Sequence, residues 1–327
     1  MTGARWQDAL IKAGAIPASH VPEQSLGRDD LVEVAGAELV EDAAVCAHAV
    51  EPADTGPHTV SFLDAIQRWK VAYYAGAVPI VRGYVAAAVR RRTTPDRRLH
   101  TTRERCRAIH VTAAGKLPAG VRAALESSGI ETLDVPEMAG QPARALEAAR
   151  HAVENARVAI ERQLGEAHLA TLGPDEWLVL DGLLSESAVL ARHPRALGVI
   201  KSHGAQYFEG DDLTRALTIP ALHRTSVFKP RGRARNEVHS WYLRLWPWEG
   251  NDILFGLLRI ETRAFEQSPA AAREVSGWLV GERAPVSTPD ARWDRLLYPI
   301  HDVENYLKAR APRDLLPAPA SRLPRAS

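Results

Sequence analysis

The sequence predicts an α/β fold with a mixed central sheet flanked by helices, and two observations lead to it. Three β-prone apolar runs come first, at 58–64, 78–92 and 106–113. A long stretch rich in Ala, Arg and Glu follows at 142–167, with a proline suited to a helical first turn. Because further strand patterns come after this stretch, a layered arrangement of one sheet and its covering helices is expected.

The other elements are predicted by the same patterns, apolar runs for strands and amphipathic stretches for helices. Strands are expected at 130–135, 176–184, 196–203, 241–246 and 253–261, and helices at 5–14, 268–283 and 298–310. Residues 28–50 lack clean periodicity and are interpreted as helix or irregular structure. The expected organisation is a helical N-terminal appendage (1–50), one large domain (51–312) and a flexible tail rich in Pro and Ala (313–327).

Composition limits the possible functions. With 41 basic and 40 acidic residues the net charge is +1, so any nucleic-acid surface must come from local clusters. Two cysteines without a CxxC pair argue against a zinc ribbon or a disulfide framework. An apolar run long enough for a signal peptide or a membrane span is missing from the sequence, so we expect a cytoplasmic protein without a membrane partner.

Two aspartates end predicted strands and are candidate metal ligands. Asp64 closes the run at 58–64, and Asp181 precedes Gly182 at the end of another apolar run. Carboxylates suit Mg²⁺ or Mn²⁺, which activate water and neutralise phosphodiester charge. The alternative is that Asp-Gly is an ordinary turn element.

The long predicted helix offers a third carboxylate. Glu147, Glu154 and Glu161 are seven residues apart and share one face, which alternatively is a solvated face with neighbouring arginines. Beyond Asp181, Lys201 and His203 end a strand and are placed to contact a phosphate, although both are equally compatible with an ordinary polar loop.

Arginines and aromatic residues gather in two regions that suit a DNA path, where bases stack and guanidinium groups pair with phosphates. The candidates are Arg90, Arg91, Arg92, Arg231, Arg233, Arg235, Trp241 and Arg244. A loop with scattered arginines is, alternatively, simply solvated.

Several short motifs, taken in order, resemble the NurA nuclease family. They are Phe62-Leu63-Asp64, the strand 83–89, the Leu-Asp-Gly segment at 180–182, Gly198-Val199-Ile200-Lys201, the strand pair near 242–245 and 258–261, and Tyr298-Pro299. The resemblance spans about residues 58–310. It departs from the family after Asp64, where Ala65-Ile66 replaces Gly-Ser, and at Asn305-Tyr306, where the family has a histidine.

The resemblance implies an RNase H-like fold, manganese-dependent DNA cleavage, a homodimer and a HerA-like hexameric ATPase as partner. It implies Asp64, Asp181 and Glu161 as metal ligands, with Glu154 as the alternative to Glu161. Lys201, Tyr298 and His301 would complete the catalytic site, His301 replacing the family histidine. The sequence contains no GxxxxGK[ST] motif, so energy for DNA movement would come from the partner.

Two other interpretations remain open from the sequence. The first is an RNase H-like scaffold that binds DNA or the translocase and has lost hydrolysis. The second is an unrelated α/β protein that acts on a small molecule.

Overall fold

The computed structural model describes residues 4–17, 33–53, 56–94, 98–136, 141–232, 236–249, 251–284 and 293–315. The strands are β1 (Ile16–Pro17), β2 (Glu33–Val34), β3 (Ala37–Leu39), β4 (Ala47–Ala49), β5 (Thr59–Ala75), β6 (Val78–Thr93), β7 (Leu99–Thr112), β8 (Glu131–Asp134), β9 (Glu176–Asp181), β10 (Ala196–Ile200), β11 (Ala205–Gln206), β12 (His223–Thr225), β13 (Phe228–Pro230), β14 (Val238–Arg244) and β15 (Leu257–Arg263). The helices are α1 (Ala4–Lys12), α2 (Ala119–Ser127), α3 (Pro142–Leu169), α4 (Ala188–Arg192), α5 (Gly210–Leu217), α6 (Ser268–Gly281) and α7 (Tyr298–Arg310).

One large mixed sheet organises the described residues. Its main path runs β3-β13-β14-β15-β10-β9-β5-β6-β7-β8. In the middle, β6 is antiparallel to β5 and β7, whereas β9 is parallel to β5 and β10 is parallel to β9. The order β10-β9-β5-β6-β7, with β6 as the reversed strand, is that of an RNase H-like sheet, which confirms the predicted fold class.

Both faces of this sheet are buried because its strands alternate large apolar side chains toward two layers of helices. On one face Leu63 and Val85 pack with Val153 and Ile160 of α3. On the other face, residues of β5, β9 and β14 pack with α6 and α7, and Trp241 lies at 0% exposure in this second core. The two helical layers therefore hold the central strands rigidly, and any site at their ends rests on a fixed frame.

Strand β5 is longer than the sequence predicts. The apolar run at 58–64 was expected to end at Asp64, but β5 continues to Ala75 by pairing with β6. The parallel pairing with β9 does stop near Asp64, since its last pair is Leu63 with Leu180. Asp64 therefore lies within a strand, at the level where one of its two neighbours ends.

The N-terminal region is attached to the sheet. Strands β3 and β4 pair with β13 and β12, so the expectation of helix or irregular structure at 28–50 is wrong for these segments. Helix α1 places Leu10 in a small core with α2 and the far ends of β5 and β6. At the other terminus, Arg313–Leu315 form a 3-10 turn with Leu315 buried, and the rest of the expected tail lies outside the described residues.

Among the helices that the structure describes, none combines the length and the apolar character needed to cross a lipid bilayer.

Candidate metal and phosphate site

A cleft of about 630 Å³ opens where β9 and β10 end. Acidic and basic side chains share its lining, which is unusual for a cleft that binds an apolar ligand. The charged lining residues are Asp64, Arg157, Asp181, Lys201, Arg259, Glu261, Arg295 and Glu304. The cleft therefore suits a ligand that carries negative charge and can bridge to carboxylates through a cation.

Asp64 and Asp181 reach this cleft from neighbouring parallel strands. Each follows the last registered pair of β5 and β9, Leu63 with Leu180, so the two aspartates start at the same level of the sheet. Both line the cleft. The structure thus brings together the two aspartates that were predicted as metal ligands, although they are 117 residues apart in sequence (181 − 64).

The backbone after Asp181 is supported by β10. Gly182 adopts φ +152°, and a Cβ at Gly198 would lie 2.5 Å from the Gly182 carbonyl oxygen. Only a residue without a side chain allows this approach. The glycine at position 198 therefore allows the turn that follows Asp181 to pack directly against β10.

The carboxyl group of Asp64 is electrostatically destabilised in its charged form. Burial raises its pKa well above the usual value, and the charge of Asp181 raises it further. Lys201 opposes this shift. A buried carboxylate next to a second carboxylate is stabilised in its charged form by a nearby cation.

Glu161 is the member of the predicted helix set that interacts electrostatically with Asp64, Asp181 and Lys201, and it lies behind the residues that line the cleft. It is 9% exposed, whereas Glu154 is half-buried and Glu147 is exposed. Burial raises the pKa of Glu161 to about 8, against the opposing effect of Arg157, whose Nη1 donates to Oε2 at 2.9 Å. Its Oε1 is buried without a hydrogen-bond partner in the described structure.

Lys201 pairs with Asp181. Its Nζ donates to Asp181 Oδ2 at 2.8 Å, and the Lys201 side chain is 8% exposed. The ammonium group thus lies inside the cleft beside the predicted ligands. Neighbouring His203 does not line the cleft. Burial lowers its pKa to about 4, and its Nε2 lies 3.1 Å from the carbonyl oxygen of Leu257.

Tyr298 and His301 are not brought into the cleft. Tyr298 begins α7 and is 54% exposed, and His301 lies 3.6 Å from Glu304 on the same helix. Glu304 lines the cleft instead. The structure therefore does not bring Tyr298 and His301 into the cleft lining, and their catalytic role stays a prediction. The i, i+3 spacing of α7 presents Glu304 to the cleft, a residue that the sequence reasoning did not select.

The first group of predicted DNA-binding arginines makes internal ion pairs. Arg90 pairs with Asp302, Arg91 is bidentate to Glu176, and Arg92 is bidentate to Glu282. These contacts tie β6 to β9, α6 and α7. Their role in the described structure is to hold elements together.

The second predicted group is divided by burial. Trp241 and Arg244 are at 0% exposure, so neither can stack on a base or reach a phosphate, and that prediction is wrong. Arg244 donates to the carbonyl oxygens of Leu217, Ile253 and Phe255. Arg231 is exposed and pairs with Glu38 at 2.9 Å. Arg233 and Arg235 lie outside the described residues.

A second cluster of ligand-type side chains lies elsewhere. Glu41, Asp42 and His48 offer ligand atoms within 4.8 Å of one another, and they are the group of three in the described residues that does so. However, Glu41 is bidentate to Arg224, and Asp42 accepts from Ser226 Oγ at 2.6 Å. Glu41 is neutralised by Arg224 and Asp42 is held by hydrogen bonds, so the cluster is best explained as an anchor of the β4 region.

Comparisons with known proteins give structural similarity without sequence similarity. No protein-family model matches the chain, and no curated protein matches it significantly. The NurA nuclease from Sulfolobus solfataricus aligns with a TM-score of 0.48 and 10% identity over 81% of this chain and 82% of that chain. It bears the name of the family that the sequence motifs resemble.

Two endonuclease V structures also align. Human ENDOV has a TM-score of 0.32 and 17% identity over 81% of this chain and 94% of that chain. The Ciona intestinalis enzyme, in complex with a DNA that contains inosine, has a TM-score of 0.31 and 10% identity over 80% of this chain and 91% of that chain.

Proposed function

We propose that the protein is a divalent-metal-dependent deoxyribonuclease, a divergent relative of the NurA family, that hydrolyses phosphodiester bonds in the cleft. The observation that carries the proposal is the meeting of Asp64 and Asp181 at the ends of paired strands, among Arg157, Lys201 and other basic side chains. Carboxylates beside basic side chains fit a phosphodiester substrate that is bridged to the protein by cations.

The residues present fit a divalent cation. Asp64, Asp181 and Glu161 supply hard oxygen ligands, the type that Mg²⁺ and Mn²⁺ prefer. Glu161 Oε1 is buried and unpartnered in the described structure, and the pKa values of Asp64 and Glu161 are both raised. The negative charge of these three carboxylates would be compensated by a bound cation, Mn²⁺ or Mg²⁺.

A bound cation would supply Lewis acidity and lower the pKa of water for attack on phosphorus. The chain itself would orient the substrate. Lys201 exchanges its contact with Asp181 for a non-bridging phosphate oxygen, which neutralises charge that builds up during attack. Arg157 and Arg295 attract the DNA backbone into the cleft.

The biological setting follows from the NurA resemblance and belongs to the same proposal. The protein would process DNA ends as a cytoplasmic homodimer with a HerA-like hexameric ATPase, in repair or in anti-phage defence. The partner would supply the motor that this sequence lacks.

A catalytically weakened scaffold that binds DNA or the translocase is the second candidate. Two contacts favour it, because Lys201 already neutralises Asp181 and Arg157 already neutralises Glu161. In addition, Asp64, Asp181 and Glu161 are not among the described groups whose ligand atoms meet within 4.8 Å. A cation would therefore need small side-chain movements before all three could bind it.

A nuclease assay separates the two candidates. Labelled single-stranded and duplex DNA is incubated with the protein in Mn²⁺, in Mg²⁺ and in EDTA, each with and without the ATPase. We expect cleavage in Mn²⁺, none in EDTA, and a loss of about 1,000-fold in Asp181→Asn, the scale of removing a group that stabilises the transition state. The control is Glu176→Gln, which changes a carboxylate on the same strand that does not line the cleft.

The result has clear alternatives. Wild-type protein that binds DNA but does not cut it under any of these conditions supports the scaffold. Asp181→Asn that cuts at the wild-type rate contradicts the assigned site.

A further inference from the structure

Arg259 is a buried charge in the wall of the cleft. It lies on β15, is 4% exposed, and lines the same cleft as Asp64 and Asp181. A guanidinium group is costly to remove from water unless partners and function compensate.

The guanidinium group is held in place from three sides. Its Nη1 donates to Glu261 Oε1 at 2.7 Å and to Ser240 Oγ at 3.2 Å. The ring of Tyr207, itself in the cleft lining, lies 4.9 Å from the guanidinium carbon. Glu261 is fixed in turn, because its Oε2 accepts the Ser185 backbone N–H at 3.2 Å.

These contacts leave part of the guanidinium group available to a ligand. Arginine has five N–H donors, and both hydrogen bonds named above use Nη1. Within the described structure, no hydrogen bond engages its Nε or Nη2. The planar fork matches two oxygens of a phosphate, a geometry that lysine cannot offer.

Arg295 is a second arginine in the lining of the cleft. It is the last residue of a 3-10 turn (Trp293–Arg295), and its Nε lies 3.2 Å from Asp294 Oδ2. Asp294 is itself buried and accepts the Gly256 N–H at 2.7 Å. Arg259 and Arg295 both line the cleft, and Arg295 Nη1 donates to the backbone carbonyl oxygen of Lys201 at 3.4 Å.

We propose that Arg259, together with Arg295, binds a backbone phosphate that adjoins the phosphate to be cut, and so sets the position of the DNA strand in the cleft. This inference rests on the proposed nuclease function and names a second phosphate subsite for it. Arg259 is then a substrate-binding residue whose orientation is fixed by Glu261, Ser240 and Tyr207.

The first test measures DNA binding in EDTA, so that the carboxylate site and hydrolysis do not contribute. Fluorescence anisotropy with labelled single-stranded and duplex DNA is recorded across a salt series for wild type and Arg259→Gln. Loss of one phosphate contact should weaken binding about tenfold and reduce the slope of log affinity against log salt by about one unit.

Two further variants protect this test against a folding defect. Arg259→Gln leaves Glu261 unpaired, whereas the double variant Arg259→Gln with Glu261→Gln leaves two neutral amides that can hydrogen-bond to each other. Arg224→Gln is the matched control, because Arg224 is equally buried and paired with Glu41 but does not line the cleft. It should lose stability and keep wild-type DNA affinity and salt slope.

Steady-state cleavage in Mn²⁺ gives the second measurement. For the double variant we expect KM to rise about tenfold with kcat within about twofold, and Mn²⁺ affinity by calorimetry to be unchanged. A folded double variant with wild-type DNA affinity and salt slope overturns the phosphate subsite. If wild type binds DNA through Arg259 but never cuts it, the nuclease proposal fails and the subsite stands.

Discussion

The carboxyl groups beside the two ends of strand β9 are in opposite electrostatic conditions. Glu176 begins the strand and accepts hydrogen bonds from Ser61 Oγ at 2.6 Å and from two nitrogens of Arg91 at 2.8 Å. Burial alone would raise the pKa of Glu176, but these hydrogen bonds overcome it and hold the pKa below the usual value. At the other end, near Asp181, the pKa of Asp64 is raised well above normal.

The difference separates a structural carboxylate from a functional one. Glu176 has its full set of partners inside the protein, so it ties β5, β6 and β9 together. Asp64 and Glu161 are buried beside further negative charge, and a folded protein tolerates such an arrangement mainly where a ligand compensates for it. Glu176 and Asp64, at opposite ends of the parallel pairing of β5 with β9, thus show both uses of the same chemical group.

The largest expected effect is stabilisation by Mn²⁺. At a concentration 100 times the Kd, a ligand that binds only the folded state stabilises it by about 2.7 kcal/mol. Thermal unfolding of wild type should show this shift, whereas Asp64→Asn should show almost none.

The control for this experiment uses the other cluster of ligand-type residues. His48→Gln changes the Glu41, Asp42 and His48 group and should keep the full Mn²⁺ shift. If the Mn²⁺-induced shift in melting temperature persists in Asp64→Asn and disappears in His48→Gln, the ion binds at the Glu41, Asp42 and His48 group and the proposed site is wrong.

The next effect is on the structural carboxylate. Glu176→Gln weakens the contacts with Arg91 and Ser61, and should lower the free energy of unfolding by about 2 kcal/mol, the scale of losing charge-assisted hydrogen bonds to a half-exposed arginine. Urea unfolding measures this loss. Below its melting temperature the Glu176→Gln variant should still cleave DNA, unlike Asp181→Asn. If both variants are inactive, the distinction between a structural Glu176 and a catalytic Asp181 is wrong.

The third effect, the smallest when it is counted per pH unit, is a pH dependence of opposite sign for Glu161 and Glu176. Glu161 has its pKa raised from 4.5 to about 8, so the folded state holds its proton more tightly than the unfolded chain does. Its contribution to stability is complete below about pH 4.5 and is lost as pH rises through about 8. The slope for one such group is at most about 1.4 kcal/mol per pH unit.

Urea unfolding in EDTA at pH 5 to 8 measures this dependence. The free energy of unfolding of Glu161→Gln minus that of wild type should grow as pH rises from 5 to 8, because only wild type carries the carboxyl group with the raised pKa. Glu176 has a lowered pKa, so its contribution is lost only as pH falls below about 4.5. A Glu161→Gln curve with the same slope as wild type between pH 5 and 8 contradicts the raised pKa of Glu161.

Long elements with a regular pattern were predicted well from the sequence. The helix expected at 298–310 matches α7, the one expected at 142–167 becomes Pro142–Leu169, and the run at 78–92 becomes β6. The predicted strand at 58–64 ends too early, because the polar segment 67–70 interrupts the apolar run of β5. The pairing with β6 overrides that local signal, which only tertiary structure could reveal.

The acidic half of the candidate site was accessible from sequence because its residues follow apolar strands. Of the basic half, only Lys201 was accessible in this way, and the arginines of the cleft were not. Arg244 and Arg259 occur in similar apolar strands, yet one donates only to backbone carbonyls and the other lines the cleft. Composition cannot distinguish a buried arginine that stabilises a loop from one that faces a ligand. The difference depends on the order of the strands in the sheet, which sets the surroundings of each arginine.

The contact between Gly198 and the turn after Asp181 has a consequence for natural variation. A single added methyl group at Gly198 would collide with the Gly182 carbonyl and displace the neighbouring aspartate, while every charged residue kept its identity. Related chains could therefore be silenced without any visible change in their acids. A survey that scores only the carboxylate positions would count such chains as intact, so the residue on β10 that faces the turn must be inspected as well.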